Sequence, residues 1–182
     1  MSRRYRKCGL MVKPENISKR NATQVIKAED HPAGRNTPEE RAEQYAALCY
    51  RLTAKGKLRV LMITSRGIGR WITPKGWPMR GRAPWDAALI EAWEEAGVRG
   101  TVQSQALGAY EYYKWRNDAE PLLCRVTVYP VHVTCLEDEF PEAGQRRRQW
   151  FSTKDAAQHV AEPKLAEILS SFRLKSLKRT AN

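Results

Sequence analysis

Apolar positions cluster in short runs over the middle of the chain, and their spacing changes from strand-like to helix-like and back. "QYAALCYRL" (44–52) and "LRVLMITSR" (58–66) are apolar runs separated by "TAKGK", whose lysines and glycine suit a hairpin connection. "GIG" then sets off the short segment "RWIT" (70–73). Further on, "GTVQSQALGAYEYYKW" (100–115) and "PLLCRVTVYPVHVTCL" (121–136) predict two more strand regions, joined by the turn-like "RNDAEP". "RQWFS" reads as a short strand entering a helix, with Ser152 as its cap. In "PKLAEILSSFRLKSLKR", Leu165, Ile168, Leu169 and Phe172 recur at helical spacing behind Pro163, and the late Lys and Arg residues complement a helix dipole.

Between the strand runs lies a helix with firm boundaries. Trp85, Ala88, Leu89, Ala92, Trp93 and Ala96 form one stripe at i, i+3, i+4, i+7, i+8 and i+11, the pattern of a helix packed on a sheet. Pro84 suits its first turn, and Gly97 suits the left-handed position just past its end.

Charge changes the picture. The chain of 182 residues has a formal net charge of +12, which points to a partner or substrate rich in negative charge: nucleic acid, anionic membrane or polyphosphate. A hydrophobic fraction of 42% is ordinary, so most of the chain should fold. Residues 1–42 differ from the rest, with many cations and few large apolar groups, and are read as a basic, mobile N-terminal extension. Residues 43–173 are the folded domain and 174–182 a basic C-terminal tail. No apolar run approaches the ~20 residues of a membrane span, and the N-terminus lacks the apolar segment of a signal peptide, so a cytoplasmic protein is expected. Cys8, Cys49, Cys124 and Cys135 have no metal-binding spacing, and three sit in apolar runs as buried thiols. His31, His132 and His159 are scattered and receive no chemistry.

The helix carries Glu91, Glu94 and Glu95 near its own C-terminus, within an arc of roughly 100°. Each like-charge pair at i, i+3 or i, i+4 costs about 0.2–0.5 kcal/mol, and the helix dipole disfavours anions there. No cation stands three or four places upstream, and only Arg99, beyond the glycine, is near in sequence. Two readings follow: an exposed acidic face on a stable helix, or a site for a divalent cation, which reverses the sign of these terms. "TPKGWPMRGR" just upstream adds two glycines and several cations, suited to a close backbone approach and to phosphate oxygens.

This stretch resembles the Nudix box, G-x5-E-x7-R-E-U-x-E-E-x-G-U, where U is aliphatic. Gly76, Glu91, Glu94, Glu95, Gly97 and Val98 match at the required spacing. "RWITPKG" and "RRRQWFS" also resemble the diphosphoinositol polyphosphate phosphohydrolase branch, and the likeness spans about residues 44 to 172. It implies the α+β Nudix fold, a mixed β-sheet sandwiched between α-helices. It also implies a Mg²⁺-dependent pyrophosphohydrolase, with Mn²⁺ as a substitute, acting on a nucleoside diphosphate linked to another group or on a related phosphoanhydride. By the same resemblance Glu91, Glu95 and the Gly76 carbonyl would hold the metal, and Glu94 would act as base or bind an added ion. Two box positions depart from the pattern: Arg82 stands for the first glutamate and Ile90 for the arginine. Weaker orientation of the metal-binding glutamates is expected from those losses.

For the substrate, Thr64, Ser65 and Arg66 stand where the inositol branch has a phosphate-contacting segment, and Arg147 where it has a basic contact. Its basic trio has no match, since Ala42, Glu43 and Gln44 stand there. Arg70, Lys75 and Arg80 are further phosphate ligands by charge, or solvated surface cations. Tyr110, Tyr112, Tyr113 and Trp115 either stack a base or fill core. Some Nudix enzymes place a base in a late loop, and Glu142 is the candidate here, the alternative being a solvated acidic loop. The substrate expected is a phosphate-rich small molecule: a diphosphoinositol polyphosphate, a dinucleoside polyphosphate or a similar polyanion. The rivals are a catalytically weak domain that binds RNA or nucleotide through basic tails, and an RNA 5′-end pyrophosphohydrolase.

Overall fold

The computed structural model describes residues 41–116 and 119–174. Within these residues eight strands form one mixed sheet: β1 (Ala42–Leu52), β2 (Leu58–Thr64), β3 (Trp71–Ile72), β4 (Lys75–Gly76), β5 (Val98–Val102), β6 (Gly108–Arg116), β7 (Ala119–Leu136) and β8 (Arg148–Phe151). Three helices among the described residues pack on it: α1 (Pro84–Ala96), α2 (Thr153–His159) and α3 (Pro163–Ser171). The central pair is β1 and β7, parallel from Ala42↔Cys124 to Tyr50↔His132. β2 and β4 pair antiparallel with β1; β3 and β8 pair with β2; β5 and β6 share the other edge of β7.

β1 is apolar without alternation because both of its faces are covered. Ala46, Leu48 and Tyr50 face one interior with Met62, Val126 and Val128, closed by Ala156 of α2 and by Leu165, Ile168 and Leu169 of α3. Ala47 and Cys49 face the other with Leu61, Ile63 and Val131, closed by Ala88, Ala92 and Ala96 of α1. The expected helix–sheet–helix sandwich is therefore the architecture found.

Several local expectations are corrected. The run 100–115 is two strands: residues 103–107 leave the sheet, with the Gln103 N–H donating to the Pro130 carbonyl at 3.1 Å. Pro130 falls between the last β6 partner, Val128, and the first β5 partner, Val131, where its missing N–H leaves no ladder bond unmade. Trp93 does not join the apolar stripe of α1; it is half-buried, and its indole N–H donates to Glu137 at 3.0 Å. Phe172 is buried, but it lies one residue past the end of α3. Ser152 does cap α2, accepting from the Asp155 N–H at 3.1 Å. Cys49 and Cys124 are buried, whereas Cys135 is half-buried.

Of the predicted extension 1–42 only 41 and 42 are described, and Ala42 already belongs to β1; of the tail 174–182 only Leu174 is described. Cys8 and His31 lie outside the described residues. No helix among the described residues is long and apolar enough to cross a membrane.

Candidate active site

The acidic helix is held by cations that come from elsewhere in the chain. Gly97 adopts φ 65° and closes α1, its N–H donating to the Trp93 carbonyl at 2.8 Å. Arg148 of β8 then donates to the Ala96 carbonyl at 3.0 Å and to the Glu137 carbonyl at 2.6 Å. Arg99 of β5 pairs with the Glu137 carboxylate at 3.0 Å. The compensation missing from the helix's own sequence is thus supplied by the sheet.

The two sides of the glutamate cluster differ. Glu95 is buried, and both of its oxygens are held: the Lys75 backbone N–H donates to Oε2 at 2.9 Å, and the Arg146 guanidinium donates to Oε1. Arg146, with a side chain only 4% exposed, also donates to Glu142 at 2.6 Å and to the Thr64 carbonyl at 3.1 Å. Arg66 approaches the other Glu142 oxygen at 3.5 Å. The Glu142 N–H donates to the Glu94 carbonyl at 3.0 Å, tying the late acidic loop to α1. Glu142 therefore sits in the site rather than in a solvated loop.

Among the described residues Glu91 has no such partner. Its carboxylate lies over Gly76, in the space that any β-carbon at that position would fill, so the glycine is required for this approach. Burial first, then the nearby Glu95, Glu94 and Glu142, push the Glu91 carboxyl up to about 7. Glu95 is also raised, by burial, against the pull of Arg146 and the Lys75 N–H. Burial lowers the Lys75 ammonium, although Glu95 partly offsets it.

This donor set fits a divalent cation. The neighbouring carboxylates that add to the effect of burial on Glu91 gather negative charge that a divalent cation would offset, and hard oxygens are what Mg²⁺ takes. Among the described residues no three Asp, Glu, His or Cys side chains are already gathered into a cage. Mg²⁺ commonly uses only one or two carboxylates, with waters and substrate phosphates completing its shell. The two bonds on Glu95 also leave lone pairs free on both oxygens.

The remaining predicted residues are distributed around this centre. Ser65 and Arg70 close the β2–β3 turn on each other: the Ser65 N–H donates to the Arg70 carbonyl at 2.7 Å, and the Arg70 N–H to the Ser65 hydroxyl at 3.0 Å. The Arg70 guanidinium pairs with Glu162, before α3, at 3.6 Å. Arg147 anchors by its N–H to the Thr64 hydroxyl at 3.0 Å, and its guanidinium lies 5.5 Å from the Trp71 ring. Arg80 and Arg82 are exposed in the loop before α1, and Ile90 is half-buried on the helix. Tyr110 is core; Tyr112 is half-buried and donates to Gln44 at 2.8 Å; Tyr113 and Trp115 are exposed. Arg146 was missed by the sequence reading. It is one of three consecutive arginines, and only the fold shows which of them turns inward.

A family model for the NUDIX domain matches residues 42–172. The chain belongs to the Nudix family. As a Nudix hydrolase it resembles human diphosphoinositol polyphosphate phosphohydrolase 3-beta, at 32% identity over 141 residues, covering 75% of this chain and 81% of that protein. Among solved structures it resembles an Ap4A hydrolase binary complex of C. elegans (TM-score 0.51, 19% identity, 71% of this chain and 93% of that one). It also resembles the E. coli dihydroneopterin triphosphate pyrophosphohydrolase (TM-score 0.55, 16% identity, 75% and 98%). At those identities the structural likeness speaks for the shared fold alone.

Proposed function

We propose that this Nudix hydrolase is a Mg²⁺-dependent pyrophosphohydrolase that cleaves a phosphoanhydride in a diphosphoinositol polyphosphate, with dinucleoside polyphosphates as the next substrate class. The observation that carries the reading is the Glu91 carboxylate, pressed onto Gly76 and acted on through space by Glu95, Glu94 and Glu142, with Lys75 opposing them. The inositol preference is supported by the likeness to the human phosphohydrolase and by the net charge of +12, which suits a phosphate-dense substrate.

Glu91, Glu95 and the Gly76 carbonyl are the residues that would hold the cation, with Mn²⁺ able to substitute. When bound, the metal supplies a Lewis acid that spreads phosphate charge and eases deprotonation of water. Glu94 accepts the proton of the attacking water, and Glu142, positioned by Arg146 and Arg66, is the second candidate for that task. Arg66, beside Glu142, is the cation that would neutralise phosphoryl oxygens as charge builds. Ser65, Arg70, Arg80 and Arg147 are outer contacts for the rest of a large polyanion.

The test is a panel of pyrophosphate substrates assayed with Mg²⁺ or Mn²⁺, scored by the identity of the products. Turnover is expected on the inositol pyrophosphate, with Glu94→Gln or Glu95→Gln lowering kcat by about 10²–10⁴-fold. No turnover on any anhydride, together with tight and salt-sensitive RNA binding, would transfer the chain to the binding-domain reading that Arg82 and Ile90 keep open.

A further inference from the structure

Gly76 is flanked by two large side chains, Lys75 and Trp77, and each meets a residue of β6. The Lys75 ammonium lies 5.3 Å from the centre of the Tyr112 ring, and the Lys114 ammonium lies 4.6 Å from the Trp77 ring. Tyr112 and Lys114 are two apart on a strand and so share a face. The result is a ladder of two cation–aromatic rungs with opposite polarity, lysine to tyrosine and then tryptophan to lysine.

β4 and β6 are not neighbours in the sheet. β4 pairs with β1 and β6 pairs with β7, so the ladder reaches across the two central strands. The Tyr112 hydroxyl touches down on Gln44 of β1 at 2.8 Å. Among the described residues neither ammonium forms a salt bridge, although Glu95 and Glu162 are close enough to Lys75 to act on it through space. Both Glu95 oxygens are already engaged. Trp77 keeps 41% of its surface exposed beside the glycine that supports Glu91. Two like charges on facing segments, neither of them closed by an ion pair, are stabilised by an anion, and the exposed ring offers a flat apolar face beside it.

We propose that Lys75, Trp77, Tyr112 and Lys114 form a subsite for the non-reacting part of the substrate, a ring bearing phosphomonoesters, which the ladder holds while the anhydride lies at Glu91. This deepens the pyrophosphohydrolase reading and rests on it for the position of the anhydride. The subsite chemistry serves either an inositol phosphate or a nucleotide, and these differ in which rung matters. An inositol phosphate depends on the two ammoniums. A nucleotide adds stacking of its base on Trp77.

The test is calorimetric binding of inositol hexakisphosphate and of AMP to the full chain without metal, beside kcat and KM on the hydrolysed substrate. Lys114→Met and Trp77→Leu are each expected to weaken the preferred probe by about tenfold. The pair should be coupled, with the double variant losing less than the product of the two. KM should rise and kcat hold. Lys57→Met, which removes the same charge at the β1–β2 hairpin, should change nothing. Loss of inositol hexakisphosphate binding through Lys114→Met above all assigns the inositol source, and loss of AMP binding through Trp77→Leu assigns the nucleotide. Both side chains are partly exposed, and a thermal melt checks that each variant folds. Binding of both probes within twofold of the parent in both variants overturns the subsite, as does failure of the parent to bind either probe. Weakened binding in a protein that hydrolyses no anhydride leaves the subsite standing and removes the enzymatic reading. Intact turnover with unchanged probe binding does the reverse.

Discussion

Leu48 and Cys49 are adjacent in β1, yet they look into opposite interiors. On the Leu48 side, α2 and α3 close the sheet with Leu165, Ile168 and Leu169, and that interior is sealed by aliphatic and aromatic bulk. On the Cys49 side, α1 presents Ala88, Ala92 and Ala96. Small residues let a helix settle close to its sheet, so the flank of α1 is brought against β4 and the loop before β8. There Glu95 of α1 meets Arg146 and the half-buried Glu142 in an ionic cluster. One strand with a period of two thus supports an interior sealed by apolar bulk and, on its other side, an interior flanked by charge held against water. Hydrophobic burial stabilises the first wherever volume is filled; the second is stable only while every buried charge has its partner.

The largest effect separating the two faces is expected from Arg146→Met. It strands the buried Glu95 without its counter-charge, leaves Glu142 only Arg66 at 3.5 Å, and should cost about 3–5 kcal/mol in urea unfolding. Excess Mg²⁺ should restore part of that loss by binding the freed carboxylates of the folded state. Leu169→Ala on the opposite face should cost about 2–5 kcal/mol, with no recovery by Mg²⁺ beyond the gain of the parent. If Mg²⁺ treats the two variants alike, the faces do not differ in the way described. Gly76→Ala comes next: its methyl would displace the Glu91 carboxylate, and a shift on that scale should lower kcat about a hundredfold while the melting temperature stays near that of the parent. The smallest effect belongs to Ser152→Ala, which removes the cap of α2 at about 1 kcal/mol and should leave kcat unchanged.

The fold and the core of the site were legible because they rest on local rules. The alanine stripe, Pro84 and Gly97 delimit α1 within its own sequence, and the glutamate spacing puts three carboxylates near one face. What was illegible depends on register between distant segments. Trp93 has the right spacing for the stripe, but Glu137, 44 positions later, draws its indole N–H outward. Arg146, Arg147 and Arg148 are alike as sequence. Arg146 turns into the carboxylates, Arg147 lies over Trp71, and Arg148 caps α1, because strand β8 begins at Arg148 and fixes the direction of each. β4 is two residues long, too short to leave a periodic signal. The gap between β5 and β6 was hidden because its cause, the change of partner around Pro130, lies on another strand.

The parallel seam between β1 and β7 also governs the order in which the molecule can be assembled. A chain emerging from the ribosome delivers β1 first, then the glutamate helix, and only much later the strand that must lie beside Ala42–Tyr50. Until then the middle of the sheet has an open margin of unmet amides and carbonyls, exposed to strands of other nascent copies. Shortening the wait, by circularly permuting the chain so that β7 is translated next to β1, should speed refolding and raise the yield of soluble protein.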